Sequence, residues 1–358
     1  MTKRIKVWKS ESLDSVNRTA TDKIREALVL AAKGEHPATK KSEELYDFLA
    51  DELERIEKLD SSRDKLELLS WWMNCCAYFD ISEEDDELFG AEKDLVLEMV
   101  NHFVSTAKDF DDRQFLMDLM HDLAVNSVGE DERTELFLAV PDFLSKDETG
   151  AFVENVLVTL DRHELENEEE IFAGILDIAD VSGDAKLYEK ISLARDPDCA
   201  NKTKIDIANA YYILDDVANA KRLLDLVDNP EGNDEEEFWD LKVGVLFKEN
   251  KMKEALALAE ALYEKYPKEY HLMSLCQVVS PERKEELLNA HEKFRLGESV
   301  NENYVNMLIS LESFDRLAHY LDEHQDAIHR MDGEIREQLA ERLDAEKHGE
   351  LAKKLRKI

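Results

Sequence analysis

Glycine, proline and cysteine are scarce in this chain of 358 residues, which holds 11, 6 and 4 of them respectively. β-Sandwiches and β-barrels need glycine and proline at frequent tight turns, so the first two shortages argue against those folds. The sequence also has no apolar run of about 18 residues and no secretory signal pattern. We therefore expect a cytoplasmic protein that does not enter a membrane.

The four cysteines form no metal-binding or disulfide pattern. Cys75 and Cys76 are adjacent, a spacing at which a disulfide is strained, and Cys199 and Cys276 lie far from both. None belongs to a Cys-x-x-Cys pair, and no histidine cluster accompanies them. We expect four reduced thiols, most of them buried, and no cofactor.

Positive charge is also in deficit, because 46 lysines and arginines face 83 aspartates and glutamates, for a net charge of −37. Such a surface repels nucleic acid and anionic membranes and attracts basic partners. Three interpretations stay open: a solvated acidic surface, adaptation to high salt, and mimicry of the phosphate array of a nucleic acid. The ends of the chain differ from its middle, since MTKRIKVWK and KKLRKI are basic.

Helical periodicity is what the sequence does have, along nearly its whole length. Apolar residues recur every three or four positions, and capping residues mark the helix boundaries. Asn167 is placed to cap a helix, Pro141 to break one, and residues 326–345 predict a single helix. Trp71 and Trp72 cannot face the same way on a helix, so we expect one in the core and the other at a seam or exposed.

One helical hairpin occurs twice, about 35 residues apart, between residues 204 and 267. The first copy is KIDIANAYYILDDVANAKRLLDLV and the second is FWDLKVGVLFKENKMKEALALAEALYEKYP, with Ala220 equivalent to Ala255. A fixed period of this length is typical of stacked helical repeats. Alanine suits a position where two helices approach closely, and Leu317-Ala318 is a candidate for the same position in a later, degenerate repeat.

This segment resembles the tetratricopeptide repeat, a pair of antiparallel helices in about 34 residues. The matching residues are Ile207, Ala208, Tyr211 and Ala220 in the first copy and Trp239, Leu246, Ala255 and Pro267 in the second. Lys204 and Val243 depart from the family pattern. The resemblance implies an all-α fold, an α-solenoid of antiparallel helical hairpins wound into a right-handed superhelix and divided into two halves.

We expect three parts along the chain. Residues 1–40 form a basic N-terminal arm and first helix, residues 41–195 an N-terminal helical-repeat region, and residues 196–358 a tetratricopeptide-like region. The second boundary follows from Asp196-Pro197, which favours a turn just before the repeat register becomes clear.

The resemblance also predicts where a partner binds, because the first helix of each tetratricopeptide repeat lines a concave face. The partner-binding residues that it assigns are Asn209, Tyr212, Ile213, Asp240, Gly244 and Phe247. Some members of the family use an Asn at the position of Asn209 to hold a peptide backbone or terminal carboxylate, but the basic residues that accompany it there are not evident here. An acidic, aromatic groove favours a basic or amphipathic peptide, and the alternative is that these side chains only pack between repeats.

No catalytic motif accompanies the repeats, since GxSxG, P-loop, GxGxxG and HExxH patterns are all missing from the sequence. His163 and Glu166 have the spacing of a metal-ligand pair, but a helix that starts at Asn167 explains the nearby glutamates through its dipole. The acidic run at residues 83–87 lacks the spacing of an EF-hand loop and is expected to begin a helix or lie in solvent.

The sequence therefore predicts a scaffold or adaptor that is not an enzyme and uses no metal. It binds a protein or peptide partner, basic in character, and neither nucleic acid nor membrane. The alternative function is an acidic nucleic-acid mimic that inhibits a DNA- or RNA-binding protein.

Overall fold

The computed structural model of the protein describes residues 19–78, 86–126, 130–165, 167–294 and 302–357. Within these ranges every regular element is a helix and no strand occurs, so the predicted all-α class is confirmed. Residues 1–18 of the expected basic arm, Glu83 to Asp85 of the acidic run and Glu166 of the candidate metal pair lie outside the described residues.

The chain divides into two compact units, Met1–Cys199 and Ala200–Ile358, called here the N-terminal unit and the C-terminal unit. The helices of the N-terminal unit are α1 Ala20–Ala31, α2 Ser42–Glu57, α3 Ser62–Cys75, α4 Asp86–Lys108, α5 Arg113–Asn126, α6 Glu130–Leu138, α7 Lys146–Arg162, α8 Glu168–Val181 and α9 Ala185–Arg195. The helices of the C-terminal unit are α10 Asn201–Ile213, α11 Val217–Leu224, α12 Asn233–Lys248, α13 Met252–Lys265, α14 Glu269–Cys276, α15 Pro281–Phe294, α16 Glu302–Ser310, α17 Phe314–Glu323, α18 Gln325–Ile328, α19 Gly333–Ala345 and α20 Gly349–Lys357.

In the N-terminal unit each helix contacts its second neighbour along the chain, from α1 with α3 through to α7 with α9. The result is one continuous apolar core that extends from Ile24 to Ile191. Trp72 is fully buried in it and donates from Nε1 to the carbonyl of Leu49 at 2.8 Å. Trp71 is half-buried against the same core, which confirms the expected division of the pair.

In the C-terminal unit the same turn joins the two helices of several hairpins. Asp215, Asn250, Glu312 and Lys347 all have positive φ, between 52° and 66°. In each case the N–H of that residue donates to the carbonyl three positions back, and the next N–H donates to the carbonyl five positions back. This pair of bonds defines the Schellman motif, which ends a helix and satisfies its last carbonyls.

Two pairs of these turns have the same internal spacing, and 62 residues separate Asn250 from Glu312. Asn250 follows Asp215 by 35 residues, and Lys347 follows Glu312 by 35. Five residues after three of these turns stands a buried alanine (Ala220, Ala255 and Ala352), and Leu317 takes that place after Glu312. The half-buried Ala318 lies one residue beyond it, so of the pair Leu317-Ala318 the leucine is the equivalent of Ala255.

Two local expectations are wrong. Residues 326–345 do not form one helix: α18 ends at Ile328 and α19 begins at Gly333. The side chain of Asp332 accepts from the N–H groups of Glu334 and Ile335 at 2.8 and 3.3 Å, so it caps a new helix where continuity was predicted. Asn167 does precede α8, but its side chain makes no capping hydrogen bond.

The expected effects of proline are confirmed. Helix α6 ends at Leu138, and a 3₁₀ turn, Val140–Asp142, follows with Pro141 inside it. Pro281 stands at the first position of α15, where its missing N–H has no helical partner to lose.

Candidate functional site

A groove of about 510 Å³ lies in the C-terminal unit along α10 and α12, with the end of α14 also lining it. Five of the six residues assigned to partner binding line this groove: Asn209, Tyr212, Asp240, Gly244 and Phe247. Ile213 does not line it; this residue ends α10 and is 64% exposed. The other lining residues are Lys202, Ile205, Asp206, Glu237, Leu241, Val243, Ser274, Gln277 and Val278.

The aromatic part of the groove depends on a glycine. A Cβ atom on Gly244 would lie 2.5 Å from the hydroxyl oxygen of Tyr212 and 2.7 Å from its Cζ, so the tyrosine ring rests on α12 where that helix has no side chain. On the same ring, Nζ of Lys248 lies 4.0 Å from the centroid. Lys248 also donates to the carbonyl of Tyr212 at 2.8 Å and pairs with Asp215 at 2.9 Å. Tyr212 is therefore held in place between two helices.

A lysine bridges the acidic part of the groove. Nζ of Lys202 lies 2.9 Å from Asp206 on its own helix and 2.5 Å from Glu237 on α12. Burial works against the charge of Lys202, but its hydrogen bonds with Glu237 and Asp206 outweigh that effect and raise its pKa. The three side chains remain between 39% and 49% exposed, so the bridge is accessible from solvent.

Asp240 lines the groove and also contacts a cluster of buried polar side chains, formed by His271 and Glu236. Nδ1 of the buried His271 lies 3.2 Å from Asp240, and its Nε2 lies 3.0 Å from Glu236. Burial opposes the charge of Glu236, but hydrogen bonds from Lys268, Tyr270 and His271 outweigh burial and lower its pKa.

Asn209 presents a free amide to the groove. The residue is exposed, and among residues 200–294 and 302–357 of this unit its side chain has no hydrogen-bond partner. An asparagine amide offers both donors and an acceptor, so it can pair with a peptide backbone.

The cysteines fit their expected state. No disulfide occurs among the described residues, and Cys75, Cys76 and Cys276 are buried while Cys199 is half-buried. Burial raises the pKa of the Cys276 thiol to about 11 and that of Cys75 further, so both stay protonated and unreactive at neutral pH. In the described part of the chain no group of three or more His, Cys, Asp or Glu side chains could hold a metal ion.

Sequence reasoning found Asp240 but missed the other three charged residues of the groove lining, Lys202, Asp206 and Glu237. Lys202 and Asp206 could have been found, because they precede Asn209 at helical spacing on the same face of α10. Glu237 could not, since its pairing with Lys202 depends on how α12 packs on α10.

Compared with models of known protein families and with curated protein sequences, the chain matches none of them. None of the helices in the described ranges is both long enough and apolar enough to span a bilayer. The groove itself combines three kinds of group: carboxylates, two aromatic rings and an unpaired amide. Such a surface can bind a flexible ligand that carries positive charge and apolar side chains.

Proposed function

We propose that the protein is a non-catalytic scaffold or adaptor, and that it binds a basic protein or peptide segment in the groove of its C-terminal unit. The observation that carries this proposal is the composition of the groove. Tyr212 and Phe247 offer apolar contact area, Asn209 offers an amide, and three carboxylates stand against the single lysine in the lining.

We further propose that the C-terminal unit is a tetratricopeptide-like α-solenoid, a right-handed stack of helical hairpins. The recurring Schellman turn supports this reading, because it returns after 35 residues in two pairs, Asp215 to Asn250 and Glu312 to Lys347. A buried alanine follows three of these four turns by five residues. Contacts of α10 with α12, α14 with α16 and α16 with α19 are those expected when the first helices of successive hairpins stack.

Binding of defined peptides to the purified protein tests the function. A library of fluorescein-labelled peptides, about ten residues long and graded in basic and apolar content, is titrated with protein and followed by fluorescence anisotropy. The expected result is binding that increases with both contents. The variant Tyr212→Ala with Phe247→Ala should lose most of this affinity while the surface charge is unchanged.

A matched control comes from the same unit. Leu226 and Met252 are 57% and 50% exposed and do not line the groove, so Leu226→Ala with Met252→Ala removes comparable apolar area elsewhere. This control should bind as the parent protein does. If the groove variant retains every peptide, the groove is not the binding site.

The net charge of −37 favours a second candidate, an acidic mimic of nucleic acid that occupies the DNA- or RNA-binding cleft of another protein. This function predicts that binding to a basic DNA-binding protein competes with duplex DNA, weakens steeply with salt, and does not depend on Tyr212 or Phe247. The groove variant therefore separates the two candidates.

A further inference from the structure

The lysine in the groove holds the position that a partner's cation would take. We propose that Lys202 occupies a cation subsite formed by Asp206 and Glu237, and that a peptide binds by placing its own lysine or arginine there while an apolar side chain contacts Tyr212 and Phe247. This inference rests on the proposed function. It adds the position at which the partner's positive charge binds, and it names Lys202 as the group that competes for that position.

The bridge made by Lys202 is easily displaced. All three side chains are between 39% and 49% exposed, and ion pairs between groups as exposed as these add little to stability. A lysine held between two carboxylates also loses rotamer entropy, which it regains on release. A partner's cation therefore needs to displace only a weakly held group.

The charges around the subsite favour a second cation over an anion. Asp240 follows Glu237 by one helical turn on α12, and in the described part of the unit only its Oδ1 has a partner, the ring of His271. With Asp206, the lining carries three carboxylates and one ammonium group. A peptide that brings one positive charge thus meets a site that is still acidic.

The length of the groove fixes the spacing of the ligand. Glu237 and Phe247 are ten residues apart on α12, which corresponds to about 15 Å at a rise of 1.5 Å per residue. An extended peptide covers roughly 3.3 Å per residue, so four to five positions should separate its cation from its apolar side chain. The ligand is a peptide with that spacing.

Removal of the resident lysine tests the inference. The probe is a fluorescein-labelled peptide in which one lysine precedes one tryptophan by four positions within a glycine and serine frame, and a second probe carries norleucine in place of the lysine. Lys202→Met should bind the lysine probe about 3- to 10-fold more tightly than the parent protein, with no gain for the norleucine probe.

Lys221→Met is the matched control, because Nζ of Lys221 also forms an ion pair, 2.9 Å from Glu249 at the C-cap of α12. Its side chain is 41% exposed but does not line the groove. It changes the net charge equally and should bind as the parent does. The inference of a cation subsite is overturned if Lys202→Met binds the lysine probe no more tightly than the parent protein, or if Lys221→Met gains as much affinity. In either case, binding of the probe by the parent protein still supports the proposed function of the groove. Loss of binding by every protein, the parent included, overturns both.

Discussion

The two units satisfy their buried polar side chains in different ways. In the N-terminal unit Ser70 donates to the carbonyl of Glu67 and Asn74 to that of Ser70, so each bonds within its own helix. In the C-terminal unit the buried His271 and His291 bond to other helices. His271 reaches two carboxylates of α12, as described above, and His291 reaches the hydroxyl of Tyr263 on α13 and Glu269 on α14.

The N-terminal unit also has a buried hydrogen bond between helices, from Nε1 of Trp72 on α3 to the carbonyl of Leu49 on α2, but its acceptor is a backbone atom. Apolar packing alone holds neighbouring helices together by shape, whereas hydrogen bonds between helices also require particular atoms to meet. The C-terminal unit thus has directional contacts between successive hairpins, next to the groove, where the positions of Tyr212 and Asp240 matter. We expect mutations to affect the two units by different mechanisms.

The largest expected effect is loss of apolar packing in the N-terminal unit. Trp72→Ala removes a fully buried indole and its bond to Leu49 and should lower the free energy of unfolding by about 3–5 kcal/mol, measured by urea denaturation. Trp71→Ala, at the half-buried neighbouring residue, should lower the free energy of unfolding by clearly less. Equal losses would contradict the assignment of Trp72 to the core and Trp71 to its edge.

The corresponding test in the C-terminal unit removes a polar link. His271→Ala takes one hydrogen bond from Glu236 and one from Asp240 and should cost about 2–4 kcal/mol, because Glu236 stays buried with fewer partners. His319→Ala is the control, since the side chain of His319 is 74% exposed. If His271→Ala lowers the free energy of unfolding no more than His319→Ala does, the buried hydrogen bonds of His271 do not stabilise the protein.

The same cluster predicts a dependence on acid. The pKa of Glu236 lies below its ordinary value of 4.5, so the unfolded chain takes up this proton at a higher pH than the folded protein does. Its contribution to stability is present above pH 4.5 and is lost as the pH falls through the lowered value. The difference in the free energy of unfolding between the parent protein and Glu236→Gln, measured by urea denaturation, should therefore be smaller at pH 4 than at pH 7.

A smaller loss of stability is expected when a side chain is enlarged where the two helices of a hairpin approach closely. Ala255 on α13 is fully buried, and Ala255→Trp should lower stability by about 1–3 kcal/mol through overpacking. Ala257→Trp, at an exposed position on the same helix, serves as the control. An unchanged melting temperature for Ala255→Trp would show that Ala255 does not lie where the two helices of the hairpin approach closely.

These sites also show what the sequence could predict. The resemblance to tetratricopeptide repeats was enough to predict that Tyr212, Gly244 and Phe247 line one groove, because it assigned the first helix of each repeat to the same face. It could not show that Tyr212 lies on Gly244, since that contact joins two helices and depends on their separation. The bonds of His271 were missed for the same reason.

The smallest effect concerns a buried carboxylate of the N-terminal unit, Glu52 on α2, which bonds to Arg55 on the same helix. Glu52 is buried, one of its oxygens accepts from Arg55 at 2.6 Å, and the other has no partner among the described residues. Burial raises its pKa despite Arg55, so the unfolded chain ionises this group at a lower pH than the folded protein does. The sign of its effect is therefore destabilising, absent in acid and fully present once the pH exceeds the raised value.

Glu52→Leu should accordingly raise the free energy of unfolding by about 1 kcal/mol at pH 7, since Arg55 is 62% exposed and loses little when its partner is removed. The gain should shrink as the pH falls below the raised pKa of the folded protein and vanish well below 4.5, where the carboxyl group is protonated in both states. Glu54→Leu, at an exposed site on α2, is the control for an added leucine. A gain that is constant with pH would mean that added apolar area, and not the removed charge, stabilises the variant. A loss at every pH would mean that the Glu52 carboxylate and its bond to Arg55 stabilise the folded protein.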